Sequence, residues 1–580
     1  MNKTEKIICM LLVVALAGYL FFNARNAGRS QKAASSSAPL AVETVKPNAP
    51  EKAASTIAST APAETAPAAP SVPEVSVSLE NADFSIELST WGAAVKKAVL
   101  KRYSRDCGEM GKGNPPLEFD FSSSNLGGLS GAQFSGAGSV FKIVESSSNR
   151  VVFANSELTR TVTLEADYKI AFKDVFATPS ASAPNAMSLG VMSMGTGKND
   201  LLSVDSWQMN AKGGEVIHHS DDDSPLKPYL VSGIGGCSGS SSAAGMPRVI
   251  PVEYPSEQKW IALKNRFFVS ALVSSSMKNE GFSASVERDM KSRDFRPEAI
   301  SAAVRFASVP AERESVFYVG PKRQSLLWDL GGGKGMKDVM EFGMWSWICY
   351  PIVYLLNLFN DYIPGYGIAI ILLTLLVRII FWPLTHKSTV GMRKMQELQP
   401  KMKELQAKFK DNPQRMQQEI WALYRTEKVN PMSSCLPMLV QIPVFIALFN
   451  VLRSTVELRY APFLWIADLS EPEGLFANVL PFGGLNILPI LMAATMALQS
   501  ALTPSTGDAS QKKIMTVVMP VMMLFMFYSF PAALSLYWTL SQVLSIVQMW
   551  MIRRSGQRKQ EALVPEVIDP PQTRQMRRHG

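Results

Sequence analysis

An apolar run over residues 366–384, interrupted by a single arginine, limits what this chain can fold into more than any other feature of its sequence. The run is long enough to cross a hydrocarbon core as a helix, yet Arg378 lies well inside it. About nine residues, or roughly 13 Å of helix, separate Arg378 from Lys387. The side chain therefore either snorkels to the headgroups or faces a wet cavity inside a helix bundle. The other segments have to decide between the two.

The apolar residues of this 580-residue chain are bunched into long runs over roughly the last 240 positions, plus one run at the start. That distribution describes an integral membrane protein with a large part outside the bilayer. A net charge of +9 and a pI near 9.1 raise the question of nucleic acid. Most of the excess, however, flanks the C-terminal apolar runs, which assigns it to membrane topology and not to DNA.

Lys3 and Lys6 precede an apolar run at 7–22 with no small-x-small cleavage site after it, so residues 1–29 read as an uncleaved N-terminal transmembrane anchor. Residues 30–73 are mostly Ala, Ser, Pro, Thr and Glu and read as a disordered linker. From 74 to 320 the pattern changes to short runs of period two, beginning with Val75, Val77, Leu79, Phe84, Ile86 and Leu88. Further runs at 150–153, 161–176, 260–273 and 315–319 are separated by Gly, Ser, Pro and Asn clusters. The expectation is a large antiparallel β-sandwich without long helices. Cys107 and Cys237 fall in it, and distance in sequence leaves their pairing open. The string GGGKG at 331–335 lacks the Ser or Thr of a phosphate loop and reads as a joint.

Charge sets the topology. Residues 386–432 carry ten Lys or Arg against five acids, and residues 453–484 carry two against four. The tail after Ile552 holds seven basic residues against three acidic ones. The positive-inside tendency puts loop 386–432 and the tail at 553–580 in the cytoplasm, and loop 453–484 outside. A sandwich outside the cytoplasm then allows only one crossing between itself and residue 386. Region 321–365, with the aromatic run at 344–359, is left to lie amphipathically along the outer interface. Further spans follow at 433–452, 485–502, 514–530 and 532–552, so the five late spans form a core over 366–552 and both termini are cytoplasmic.

Within that core, loop 388–428 has a pattern of its own. Met395, Leu398, Met402, Leu405 and Phe409 step by three and four; Asn412 and Pro413 make a turn; Met416, Ile420 and Leu423 carry a return seam. This is a helical hairpin whose methionines either pack the seam or offer an adaptable apolar surface. The spans also carry Thr374, Gln441, Asn450, Thr495, Gln499, Thr539, Ser541, Gln542, Ser545 and Gln548, but neither Asp nor Glu. Uncharged polar groups around an unpaired arginine favour a hydrated cavity over isolated interhelical bonds, and the missing carboxylate argues against a proton-coupled pump. Enzyme chemistry is poorly supported. The chain has four histidines, and His218 and His219, beside Asp221, Asp222 and Asp223, lack a recognisably spaced third ligand. No cofactor or metal is expected.

The segments TLLVRIIFWPLT, LQPK, ALYRTEKVNP, CLPMLVQIPVFIALF, VELRYAPFLWIADLS, KKIMTVVMPVMM and FPAALSLYW, in that order, resemble the YidC/Oxa/Alb membrane protein insertases of the Gram-negative bacterial type. The resemblance covers about residues 342–554; the sandwich matches in position and kind only. It implies an insertase and chaperone of the bacterial inner membrane whose late spans form a hydrophilic groove open to cytoplasm and lipid and closed outside. Arg378 would be the groove arginine, lined by Thr374 and Gln441, with Gln499, Thr539 and Gln542 joining the polar set. Trp538 stands where close relatives often carry a second tyrosine after Tyr537, so an aromatic face is kept and a hydroxyl lost. Met395, Met402, Phe409 and Met416 of the hairpin would receive clients. The implied partners are nascent membrane proteins, the bilayer, the Sec translocon and, through the basic tail, the ribosome. The sandwich would resemble the galactose mutarotase-like fold, without its catalytic residues in evidence. The competing readings are a small-solute transporter or channel, and an anchored carbohydrate-binding domain whose spans are structural.

Overall fold

The computed structural model describes residues 73–105, 115–121, 134–135, 140–179, 185–193, 202–210, 213–219, 249–255, 257–273, 280–288, 297–306, 308–330, 336–427, 429, 436–475, 484–502 and 513–561. The expected anchor, nearly all of the linker, Cys107, Cys237, the acids at 221–223, the glycines at 331–333 and the tail beyond 561 lie outside these residues. The chain divides into two compact units, one holding residues 379–437 and the other residues 69–378 with 438–580.

The second unit begins with antiparallel sheets. A four-stranded sheet runs in sequence order through β1 (Ser76–Glu80), β2 (Phe84–Ser89), β3 (Ala94–Ser104) and β4 (Pro116–Asp120). The next strands are β5 (Phe134–Ser135), β6 (Lys142–Ser146), β7 (Arg150–Ala154), β8 (Leu158–Leu164), β9 (Lys169–Phe176), β10 (Asn185–Ser193), β11 (Ser203–Asn210) and β12 (Gly213–His218). They are followed by β13 (Val249–Tyr254), β14 (Gln258–Lys264), β15 (Phe268–Val273), β16 (Gly281–Arg288), β17 (Pro297–Phe306) and β18 (Glu312–Pro321). Nine of them form one sheet in the order β12-β11-β14-β15-β18-β9-β8-β7-β6, and five form another in the order β13-β16-β17-β10-β5.

The period-two reading holds where it is strongest: Phe84, Ile86 and Leu88 are all buried. The runs at 161–176 and 260–273 are each two strands and not one. In the first, Asp167 and Tyr168 both take positive φ (59° and 63°), the backbone of a tight hairpin turn, and Lys169 N–H donates to Ala166 C=O. In the second, the Asn265 side chain accepts from the backbone N–H of Phe267 and Phe268, at 3.0 and 2.7 Å. Buried Arg160 on β8 forks onto Asp174 on β9 and donates to Ala93 C=O, joining two sheets through one satisfied charge pair.

After the sheets come α1 (Gln324–Leu330), a 3-10 turn at Met336–Met340 and α2 (Ser346–Tyr362). The bundle consists of α3 (Tyr366–Glu397), then α6 (Leu436–Ser454), α7 (Ile487–Leu502), α8 (Ile514–Phe527, opening with a π turn) and α9 (Ala532–Glu561), with α4 (Gln399–Lys408) and α5 (Pro413–Thr426) between α3 and α6. Among the described helices α3 alone is long and apolar enough to cross a membrane on both counts, with shorter apolar helices at Leu439–Ser454, Ile487–Leu502 and Ile514–Phe527.

The first unit is the hairpin. Residues 388–397 belong to the same helix as Arg378, so the seam is not one helix; it breaks at Leu398 ahead of Pro400, whose nitrogen cannot donate to the preceding turn. Met395, Leu398 and Val429 form its small core with Tyr424, whose hydroxyl meets the Met402 sulfur at 3.3 Å. Phe409 and Met416 are half-buried. Asn412 caps α5 through Arg415 N–H at 3.1 Å, with Pro413 in the first turn, as the turn signal predicts.

The turn at Tyr168 depends on a glycine. A Cβ on Gly320 would lie 2.8 Å from both Tyr168 Cβ and the Tyr318 hydroxyl. Gly320→Ala is therefore expected to destabilise the β-sheet domain by about 1–3 kcal/mol. Thermal unfolding of the variant checks this; an unchanged midpoint would show that Tyr168 moves aside freely.

Candidate functional site

α9 is where the polar residues of the bundle converge. Three of its side chains reach three different helices: two lie one turn apart on one face, and the third, next to the second in sequence, points further round. Tyr537 accepts from Gln441 Nε2 of α6 at 2.7 Å. Ser541, one turn on, takes Arg378 of α3: Nη2 donates to both its carbonyl and its hydroxyl oxygen. Gln542 accepts from the Thr495 hydroxyl of α7 at 2.8 Å.

The expected groove residues therefore divide. Arg378, Gln441 and Gln542 are brought onto one helix. Thr374 and Thr539 are buried, but each hydroxyl donates to its own helix, to Ile370 C=O and Ser535 C=O. Trp538 packs edge-on against Phe445 at 4.8 Å and against Phe527, and its indole N–H is buried without a hydrogen-bond partner among the described residues. Gln499 is half-buried on α7. Tyr537, Ser541 and Thr495 complete the contacts without having been singled out as site residues. The i, i+4 spacing of Tyr537 and Ser541 was the available signal, but nothing in it names the arginine as partner.

Packing is graded along the bundle. At the ends beside loop 455–475 the helices are sealed by Ala369, Ile370 and Leu373 of α3, Ala447, Leu448, Val451 and Leu452 of α6, Leu488 and Met492 of α7, Phe527 of α8 and Ala533, Leu534 and Tyr537 of α9. Alanines let the backbones approach closely there. Towards the other end large apolar side chains are exposed, among them Ile379 (68%), Ile442, Leu498, Ile514, Val547 and Trp550, and on α7 and α8 the exposed face continues past Ile490 and Phe525 beside the sealed end. Exposed apolar surface of this extent marks a membrane or protein interface, and beside a helix long and apolar enough to cross a membrane it fits lipid. Arg378 stands where the sealed part gives way to the looser part.

Beyond the sealed ends, the sheets are fastened to loop 453–475 by arginines. Arg266 donates to Arg453 C=O and Ser470 C=O, both at 2.6 Å, and pairs with Glu471. Arg323 pairs with Glu457 at 3.3 Å, and Arg459 donates to Ser104 C=O at 2.9 Å. Next to this contact lies a charge cluster built on buried Asp205 and Lys264. The Lys264 ammonium bonds Asp205 and, at 2.7 Å, Glu341, while His218 Nδ1 lies 3.1 Å from Asp205. Asp205, His218 and Glu341 offer ligand atoms within 4.8 Å of one another, but Lys264 already bonds both carboxylates, so a built-in cation satisfies the group. His219 turns away to Ser206 at 2.9 Å, and burial lowers it to about 4, so it stays neutral.

Burial opposes the charge on Asp205, but Lys264 and His218 outweigh it and hold the carboxyl below its ordinary value. Burial likewise works against His218, and Asp205 more than restores it. Lys264 and His218 thus face the two carboxylates, with Lys322 buried nearby. Burial, reinforced by Lys264, lowers Lys322 to about 8. The unfolded chain binds more protons than the folded one between about 8 and 10.5, so this group makes stability rise with pH across that window. Lys322→Met is expected to raise the thermal midpoint at pH 7 by an amount equivalent to about 1–3 kcal/mol and to flatten the rise above pH 8. A lower midpoint, or an unchanged slope, would mean that Lys322 is paired after all.

Two family models match the chain: residues 76–355 fit the YidC periplasmic domain and residues 358–560 fit the 60Kd inner membrane protein. The membrane protein insertase YidC of Syntrophobacter fumaroxidans is 42% identical over 301 residues, 51% of this chain and 53% of that protein, so the chain spans about half the length of that relative. The protein of the same name from Prosthecochloris aestuarii is 30% identical over 519 residues, 85% of each chain. A solved active YidC insertase with its first transmembrane domain aligns at 17% identity and a TM-score of 0.34, covering 81% of this chain and 91% of that one. A galactose mutarotase related enzyme from Lactobacillus acidophilus aligns at 6% identity and a TM-score of 0.26 over 42% of this chain and 97% of that one, a likeness too loose to carry chemistry across.

Proposed function

The chain belongs to the membrane protein insertase YidC family, and from that premise we propose that it moves nascent proteins into the bacterial inner membrane without a nucleotide. A client docks at the hairpin of α4 and α5, where Met402, Phe409 and Met416 are partly accessible and Trp421 is exposed. Its short polar segment enters among the helices towards Arg378, and its apolar helix slides along the exposed belt into lipid. The sealed outer ends stop the path from becoming a pore.

One observation carries this reading: an arginine held by uncharged acceptors at the depth where the bundle passes from sealed to lipid-exposed. A cation there attracts an acidic segment and repels a basic one. Moving one charge to the middle of a bilayer costs about 2.5–3.5 kcal/mol on insertion scales, and burying about twenty apolar residues offsets it. Gln441, Gln499, Gln542, Thr374, Thr539 and Trp538 belong to this path as lining. The Sec translocon and the ribosome, the latter met by the basic tail, are proposed partners. Both termini are placed in the cytoplasm and the sheets in the periplasm, with α2 along the outer interface.

The test is reconstitution of the full chain in vesicles without a translocon, scoring protease-protected insertion of a single-span client with an acidic tail. Insertion above empty vesicles is expected, with Arg378→Ala lowering it about tenfold, the order of one charge-assisted contact. Intact insertion by the variant would remove the arginine from the mechanism; failure of folded wild-type protein would remove the mechanism itself.

A further inference from the structure

We infer that Ser541 is a positioning residue for Arg378: it holds the guanidinium in a resting position from which an acidic client segment takes it over. The inference rests on the insertase reading above. Arg378 Nη2 is shared between the Ser541 carbonyl and hydroxyl, and the same carbonyl accepts from the Ser545 hydroxyl at 3.0 Å. Ser541 is buried on α9, one turn from Tyr537, which is itself fixed by Gln441. The hydroxyls of Thr374 and Thr539 are committed to their own helices. Both acceptors on Ser541 are neutral, and no Asp or Glu occurs in 366–384, 433–452, 485–502, 514–530 or 532–552.

Neutral acceptors set the depth and direction of the guanidinium without cancelling its charge. A carboxylate arriving on a client offers a stronger, charge-assisted bond in the same geometry and displaces them. An arginine left with the Ser541 carbonyl alone, without the hydroxyl, is held less firmly, snorkels more readily towards the headgroups and meets the client at the wrong depth. Ser541 thereby confers the preference for acidic tails, while insertion driven by apolar burial alone does not need it.

The experiment uses the full chain in lipid nanodiscs and vesicles with Ser541→Ala and Ser541→Thr. One arm measures how fast phenylglyoxal modifies Arg378, by mass spectrometry of its peptide; the other compares insertion of two clients identical except for an acidic or a neutral tail. S541A is expected to speed Arg378 modification about tenfold and to bring the acidic-to-neutral insertion ratio close to that of R378A. S541T, which keeps a hydroxyl, restores both. An unchanged modification rate in S541A, or equal losses for both clients with the ratio intact, overturns the inference. The modification arm does not depend on insertion: a rate that responds to S541A and S541T in a chain that inserts neither client supports the holding contact and refutes the insertase reading alone.

Discussion

α9 satisfies amides and hydroxyls from within the protein, and the rest of the bundle follows from how it does so. Tyr537, Ser541 and Gln542 reach α6, α3 and α7 in turn. Each of those bonds fixes a helix rotation as well as a distance, because the partner has to face α9. Lipid supplies no hydrophobic drive between helices, so these bonds and the close packing of Ala369, Ala447 and Ala533 are what order the bundle. The large apolar side chains are thereby freed from packing and turn outward.

The same demand, applied at the outer face, explains the arginines there. Loop 453–475 closes the helix ends and presents backbone carbonyls that no helix satisfies. Arg266 and Arg459 bridge that loop and the external sheets, with Arg266 donating to Arg453 and Ser470 and Arg459 reaching back to Ser104. Their planar forks suit carbonyls and carboxylates alike. Behind them, Lys264 on β14 bonds Asp205 on β11 and Glu341, with His218 of β12 against Asp205, which fixes how these strands meet the segment that leads into α2. The sheets are thus part of the same packed unit as the bundle, and the outer seal is shared between them.

How much of this could be read from residues differs by element. The apolar run around Arg378, the hairpin turn at Asn412 and Pro413, and the buried alternation of Phe84, Ile86 and Leu88 were all legible, since each is local and has one dominant period. The division of 161–176 into two strands was not. Its turn residues Asp167 and Tyr168 include a bulky aromatic at positive φ, tolerated because Gly320, far along the chain, leaves room for it. The break before Pro400 was hidden by a heptad seam that continues across it. At the site, the residue types were legible and the pairings were not. Thr374 and Gln441 looked alike as polar residues in spans, yet one bonds its own helix and the other a neighbour, a choice made by helix rotation and not by sequence spacing.

The absence of acid from the late spans and the bond from Arg378 to Ser541 are two sides of one requirement. A carboxylate in Ser541's place would form a buried ion pair, and breaking such a pair by taking one partner away costs about 3–5 kcal/mol. A hydrogen bond from a charged donor to neutral oxygens is worth about 1.5–3 kcal/mol. On the proposed reading, the weaker tether is exchanged for a client's carboxylate and re-formed after release, whereas the stronger one would leave the arginine permanently neutralised. Conversely, an arginine with no tether would settle at the headgroups, as long side chains do. A neutral acceptor at the boundary between the sealed and the lipid-exposed part of the bundle keeps the charge deep and still available, the two properties that an arginine placed inside an apolar run has to combine.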